Sequence, residues 1–231
     1  MTYQINKIMN VYQTYHGEDG CDKFLREVYF PDYSYKGTLI EVGAAGPELY
    51  SMSKHFRENK WRCISVEPIP YFAKLHRDVG HEIIECACSD KDEDDVDFQM
   101  VNCYRSGAPE KPTGFTFEGN SSFKVREEFA GKVTEFANGI GDITNIKVKA
   151  RKLNTIIEEH CPNIQIDTVF VDVEGWELTV LKGFDLDKYK PKVLVIENVL
   201  HDPEYTRYLE SFGYSIKFKT SYNYLYERMR D

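Results

Sequence analysis

The 231-residue sequence predicts an α/β fold built on a mostly parallel sheet. Three observations carry this reading. Short β-prone runs alternate with helical periods in units of about 20 to 30 residues, a rhythm that implies right-handed crossovers between parallel strands. The stretch "EVGAAGPELYS", Glu41–Ser51, reads in succession as strand end, glycine loop and helix start. The last two β-prone runs, "YSIKFK" and "NYLYER", are separated by a short turn, so a hairpin closes the sheet with an antiparallel edge strand.

Taken in order, residues 1–36 read as irregular helix, with Ile5, Ile8, Tyr12, Phe24, Leu25 and Val28 marking the apolar positions before Pro31 ends the pattern. This segment is a helical cap and a candidate face for a homo-oligomer. Strands follow at 38–43, 61–66 and 81–87, with helices at 48–58 and 70–79 between them. The charge run "SDKDEDD" reads as a solvated loop. Residues 91–141 form an irregular insertion rich in Gly, Pro, Asn, Ser and aromatics, with one strand at 96–102; a long irregular segment inside a domain is usually a lid or a binding loop. Regular periods resume with strands at 143–149, 166–172 and 192–197 and helices at 153–160, 174–182 and 203–212. The whole of 1–231 reads as one domain.

Composition narrows the function. With 42% hydrophobic residues the chain can bury a core without staples. A formal charge of −9 argues against a broad phosphate-binding face, and hence against nucleic acid as a partner. No run of about 18 apolar residues occurs, and "MTYQINKIMN" lacks a basic start followed by an apolar stretch, so a cytoplasmic protein with no membrane partner is expected. The cysteines at 21, 63, 86, 88, 103 and 161 are scattered, and one residue between Cys86 and Cys88 does not match zinc spacing; free buried thiols are expected.

A dinucleotide loop needs G-x-G-x-x-G, whereas this loop has only Gly43 and Gly46. Pro47 and Glu48 are read as opening the helix, which places a negative charge where a pyrophosphate would sit. A cationic ligand without phosphate suits the same loop, and S-adenosylmethionine is one. Glu41 is then placed to face its amino group, while Gly43 and Gly46 let the backbone approach. Glu67, about 20 residues beyond the glycines, is placed for two ribose hydroxyls, a role that serves NAD equally. Cys88, Ser89 and Asp90 of "ACSD" lie where an adenine edge would be read, and Asp172 ends a central strand beside the expected crevice.

With "EVGAAGPELYS", "VEPIP", "ACSD", "VKARKLNTIIEEH", "VFVDVEGWELTVLKG" and "VLVIEN" in place, the sequence resembles the FkbM-type methyltransferases, a branch of the class I S-adenosylmethionine-dependent enzymes, over about residues 38–218. The resemblance implies a Rossmann-like seven-stranded sheet with helices on both faces, bound S-adenosylmethionine, and O-methylation of a hydroxyl, often on a sugar or a glycosylated natural product. It further implies that Glu41, Gly43, Ala44 and Gly46 hold the donor's amino-acid part, Glu67 its ribose, and Ser89 with Asp90 its adenine side. The sequence departs from the family pattern at Glu41, usually Asp, at Ala45, usually Asn, at Pro47, usually Gly, and at Asn154, where the family has the Asp of an "LD" pair.

Methyl transfer to a hydroxyl needs alignment and a group to take the proton. Asp172 is the first candidate, as base or orienter; the competing reading is a cap for helix 174–182. Glu174 and Glu177 read as first-turn acids of that helix. His201 is a second candidate base, against an ordinary loop histidine. Glu197 and Asn198 share the rim and are candidates for an acceptor hydroxyl, while the spacing of Asp172, Glu197 and His201 is too generic to claim a metal. In the lid, Tyr104, Arg105, Phe115, Phe117, Asn120, Ser121 and Ser122 suit a sugar ring and its hydroxyls, or else a satellite core under a long loop. The leading reading is an O-methyltransferase for a sugar, glycan or small glycosylated metabolite. An NAD-dependent oxidoreductase and a catalytically silent scaffold compete with it.

Overall fold

Strand β1 (Thr38–Val42) is buried along its whole length, and its alternate side chains enter two different cores. This is the pattern of a central strand covered on both faces. The computed structural model describes residues 14–102, 121–125, 127 and 142–229. After β1 come β2 (Arg62–Val66), β3 (Glu82–Ile84), β4 (Ala87–Cys88), β5 (Glu93–Asn102), β6 (Asp142–Arg151), β7 (Thr168–Val171), β8 (Val193–Glu197), β9 (Tyr214–Lys219) and β10 (Asn223–Arg228). Seven of them form one sheet in the order β3-β2-β1-β7-β8-β10-β9. The first five of that order pair in parallel, and β10 is antiparallel to both β8 and β9. The α/β class, the seven strands and the antiparallel hairpin are therefore as the sequence predicts.

Ile40 and Val42 of β1 point into the larger core with Ile64, Val169 and Leu194, under Leu153, Ile156, Val180, Leu181 and Leu209 of the helices. Leu39 turns the other way, with Phe170, Val193 and Val195, against Leu25, Phe56 and Trp61. Period-2 alternation in the strands thus meets helical faces on both sides. From Glu18 to Tyr29 the N-terminal segment runs through 3-10, α and π turns; residues 1–13 lie outside the described residues. No helix among the described residues is long and apolar enough to cross a membrane. The five described cysteines are free and buried, and burial pushes the Cys21, Cys63 and Cys86 thiols up to about 12, so they are inert packing residues.

The region after β3 differs from expectation. The run 81–87 is not one strand: β3 stops at Ile84, and Ala87–Cys88 join a second sheet of order β4-β6-β5. The "SDKDEDD" run is loop only in its first half, since β5 begins at Glu93 inside it and pairs antiparallel with β6 across a register shift between Glu93 and Val96. Cross-strand partners outweigh local charge here: Arg151 of β6 binds Asp94 at 2.6 Å, and Lys147 binds Asp97 at 2.7 Å. The small sheet is joined to the main body through Ile69, Phe72, Ala87, Phe98 and Val148.

Gly183, at the end of helix Glu177–Lys182, sets how closely that helix approaches the small sheet. A Cβ at this position would stand 2.1 Å from the Ser89 carbonyl oxygen, just past β4. Gly183→Ala is expected to destabilise the fold by about 2–3 kcal/mol through overpacking. Thermal unfolding should show this as a Tm lowered by roughly 5–10 °C; an unchanged Tm would mean the small sheet is free to shift.

Candidate active site

The strand order reverses between β1 and β7: from β1 the chain builds outward through β2 and β3, then returns to add β7 and β8 on the other side. Such a reversal leaves a crevice beyond the carboxyl ends of the two strands. Here it is a cavity of about 600 Å³, walled by the ends of β1, β2, β7 and β8, the 43–50 loop and the start of helix Pro70–Asp78.

Gly43 is the residue that makes this geometry possible. Its φ is +80°, and a Cβ would fall 1.7 Å from the carbonyl oxygen of Asp172. The N–H groups of Gly43 and Ala44 donate to the Val66 carbonyl at 3.0 and 3.2 Å, so the loop leaves β1 wedged between β2 and β7. Ala45 then takes a left-handed φ of +43°, which costs a non-glycine residue about 1 kcal/mol or more. Its N–H donates to Glu67 Oε2 at 2.9 Å, and the Ile69 N–H donates to Glu67 Oε1 at 2.8 Å. Burial pushes the Glu67 carboxyl up to about 7 despite these two donors.

Glu41 also lines the cavity, but its carboxylate is engaged by the chain. It accepts from the Met52 N–H at 2.7 Å, the Ser53 N–H at 3.2 Å and the Ser53 hydroxyl at 2.5 Å. The predicted helix 48–58 is shortened. It runs only Lys54–Glu58, and the N–H groups of Met52 and Ser53, in the turn that leads into it, are taken by Glu41 of β1. Glu48 therefore lies on the loop, paired with Lys54. Gly46 and Pro47 line the cavity mouth.

The opposite wall is built on β7 and β8. Helix 174–182 is likewise shortened to Glu177–Lys182, with Trp176 as N-cap and no side-chain cap bond, so Asp172 does not cap it. Glu174 and Gly175 adopt φ of +57° and +90°, and Glu177 reaches back to accept from the Val173 and Gly175 N–H groups, both at 3.0 Å, and from the Tyr205 hydroxyl at 2.8 Å. The expectation that Glu177 is a surface first-turn acid is thus corrected: it is buried and pins the turn after β7. Asp172 is left facing the cavity beside Glu197. Glu18 of the N-terminal cap joins them, and carboxylate oxygens of the three lie within 4.8 Å of one another. Burial, then the charge of Glu177, pushes Asp172 up to about 7, while a hydrogen bond with Glu197 opposes the shift. Burial and the charge of Asp172 push Glu197 well up. Two close carboxyls joined by a hydrogen bond share one proton.

Other predicted residues fall elsewhere. His201 is exposed, with φ +52°, and its Nδ1 sits 2.8 Å from the Tyr224 hydroxyl; it does not line the cavity, because the turn after β8 aims it at β10. Asn198 is buried but bonded to both the N–H and the carbonyl of Asp202, so it shapes that turn and does not reach an acceptor. Ser89 and Asp90 also lie off the cavity: the Ser89 N–H donates to the Arg151 carbonyl, its own carbonyl packs on Gly183, and Cys86, Ala87 and Cys88 supply the lining at that point. Of the residues expected in a lid, Ser121 and Ser122 line the cavity, and the buried Ser122 hydroxyl has no partner among the described residues. Tyr104, Arg105, Phe115, Phe117 and Asn120 lie outside the described residues. Sequence reasoning missed Glu18, Phe72, Phe123 and Trp176 as lining residues. Trp176 stood inside the quoted "DVEGWELTVLKG" block, whereas nothing local marks Glu18, which is held in place by an Asn223 side-chain N–H at 3.1 Å. Phe98, Phe123 and Trp176 form an edge-to-face row along one wall of the cavity.

The charge of the cavity is one-sided. Glu18, Glu41, Glu67, Asp172, Glu174 and Glu197 all line it, and among the described lining residues there is no Lys, Arg or His. Raised carboxyl pKa values mean the folded protein binds more protons than the unfolded chain between the ordinary carboxylate range and about 7. Stability of the ligand-free protein should therefore fall as pH rises through that window. Thermal unfolding between pH 5 and 8 should show the decline, and Asp172→Asn should flatten it.

Comparison with known proteins gives the following. The family model described as the methyltransferase FkbM domain matches residues 41–218. No curated protein matches by sequence. Among solved structures, the methyltransferase FkbM from Methylobacillus flagellatus KT is similar at 15% identity and a TM-score of 0.47, covering 97% of this chain and 59% of that one. The chain thus spans 59% of that relative's length. A precorrin-6y C5,15-methyltransferase from Geobacter metallireducens GS-15 is similar at 12% identity and a TM-score of 0.43, covering 95% of each chain. An O-methyltransferase from Bacillus cereus in complex with SAH is similar at 13% identity and a TM-score of 0.38, covering 97% of this chain and 86% of that one.

Proposed function

The chain belongs to the FkbM methyltransferase family, and from that premise we propose that it transfers the methyl group of S-adenosylmethionine to a hydroxyl of a sugar, glycan or small glycosylated metabolite. The observation that carries the reading is the one-sided charge of the cavity. With carboxyl groups on several walls and no cation among its described lining residues, it disfavours the pyrophosphate of a dinucleotide and favours a donor bearing a sulfonium and an ammonium group. Glu48 does not open a helix here: it lies on the loop, paired with Lys54.

The donor fits the residues present. Gly43, Ala44 and Gly46 would lie along its amino-acid part, since Gly43 leaves no room for a side chain between β1 and β7. Glu67, whose two oxygens each accept one backbone N–H, keeps lone pairs for a ribose diol. Bound S-adenosylmethionine supplies a methyl group already activated by its sulfonium, so the protein's task is to align the acceptor and take its proton. Asp172 and Glu197 suit that task. The ionised member of the pair accepts the hydroxyl proton, and a carboxyl titrating near neutral pH is poised to do so. The rate should accordingly rise with pH through about 7. A saccharide acceptor is supported by aromatic edges at Phe123 and Trp176 beside the hydroxyls of Ser121 and Ser122.

The decisive experiment supplies methyl-labelled S-adenosylmethionine with a panel of glycosides, glycans and sugar nucleotides and asks which compound gains an O-methyl label. Tight donor binding with no labelled product would establish the silent scaffold, and stabilisation by NAD alone would establish the oxidoreductase. Glu67→Ala is expected to weaken donor binding roughly 10- to 100-fold by calorimetry, the scale of losing a hydrogen bond to a charged group. Asp172→Asn should keep donor affinity and lower kcat about 100-fold or more; full turnover in that variant would remove Asp172 from the chemistry.

A further inference from the structure

Beneath the 43–46 loop lies a histidine that the chemistry above does not use. His76, on helix Pro70–Asp78, has no exposed surface. Its Nε2 lies 3.1 Å from the carbonyl oxygen of Ala45, and its Nδ1 lies 3.2 Å from Nδ1 of His81. A carbonyl oxygen only accepts, so Nε2 carries a hydrogen; in the neutral ring Nδ1 is then an acceptor, and His81 supplies the hydrogen between them. Burial holds the ring neutral by pushing its pKa down to about 4.

Ala45 is the loop residue in the left-handed conformation, at φ +43°. Its N–H is held by Glu67, just past β2, at 2.9 Å and its carbonyl by His76 from the helix. An alanine left to itself would relax out of this region, because its Cβ crowds the backbone there. The clasp on both sides holds it, and the neighbouring Ala44 and Gly46 line the cavity between the same two elements.

We propose that His76 is a positioning residue for the methyl donor: as a neutral hydrogen-bond donor at Nε2, oriented by His81, it holds Ala45 in the left-handed conformation that shapes the donor loop. The proposal rests on the reading of residues 43–46 as that loop. His76 touches the loop backbone and acts on the donor only through it.

The test measures S-adenosylhomocysteine affinity by calorimetry and hydrogen exchange of the Ala45 amide, in the wild type and in His76→Phe, each with Ala or Asn at position 45. His76→Phe keeps a ring and removes the donor; it should weaken binding about ten-fold and speed exchange at Ala45. Asn tolerates the left-handed region better than Ala, so in the Ala45→Asn background the same change should cost clearly less. His76→Gln, whose side-chain amide can still donate, should retain more affinity than His76→Phe and serves as the second variant if the phenylalanine protein does not fold. Unchanged affinity and exchange in His76→Phe would overturn the proposal, and so would an equal loss in both backgrounds, which would make His76 a packing residue. If the wild type fails to bind S-adenosylhomocysteine, the donor reading falls, and a protected Ala45 amide that His76→Phe releases would still show the clasp.

Discussion

The passage of Gly43 over the Asp172 carbonyl is the constraint on which the rest of the site depends. A Cβ would overlap that oxygen at 1.7 Å, and the Asp172 N–H in turn donates to the Val42 carbonyl at 3.1 Å. Two strands far apart in the chain are thereby held edge to edge at their carboxyl ends, where the sheet order reverses. The 43–46 loop leaves from one end and the Asp172 carboxyl from the other. Any residue larger than glycine would push them apart, and the cavity between them would lose its shape.

A second theme is the use of buried carboxylates as pegs for backbone N–H groups. Glu41 holds Met52 and Ser53, Glu67 holds Ala45 and Ile69, and Glu177 holds Val173 and Gly175. Burying a carboxylate is costly unless its oxygens are satisfied, and loops leaving strand ends are rich in unpaired N–H groups. Each solves the other's problem. The consequence is electrostatic: several acids are concentrated around one cavity, and burial pushes their pKa values up together.

Much of the fold was legible because its signals are local. Alternating periods, the "GAAG" loop and the closing hairpin each lie within a few residues of one another, and the sheet that they predict is the one observed. The helix starts were not legible. Before Lys54 and Glu177 the chain is turn and not helix, with the N–H groups of Met52 and Ser53 taken by Glu41 of β1 and those of Val173 and Gly175 by Glu177 reaching back. The second sheet was hidden for a similar reason, since Asp94 reads as a solvated charge until Arg151 is beside it.

For the site, Glu41, Gly43, Ala44, Gly46, Glu67, Asp172 and Glu197 all line the cavity, because a residue at the carboxyl end of a parallel strand lies near the crevice. Spacing does not say where a side chain points or what already binds it. His201, Asn198, Ser89 and Asp90 have the right positions along the chain but are turned toward Tyr224, Asp202 and Gly183. Glu18 enters from the N-terminal cap with no motif to mark it. The sequence by itself determined the sheet, the crevice and the family. Only the tertiary structure decided which carboxyls hold backbone N–H groups and which meet another carboxyl across the cavity, because that depends on hydrogen-bond partners from elements far away in the chain.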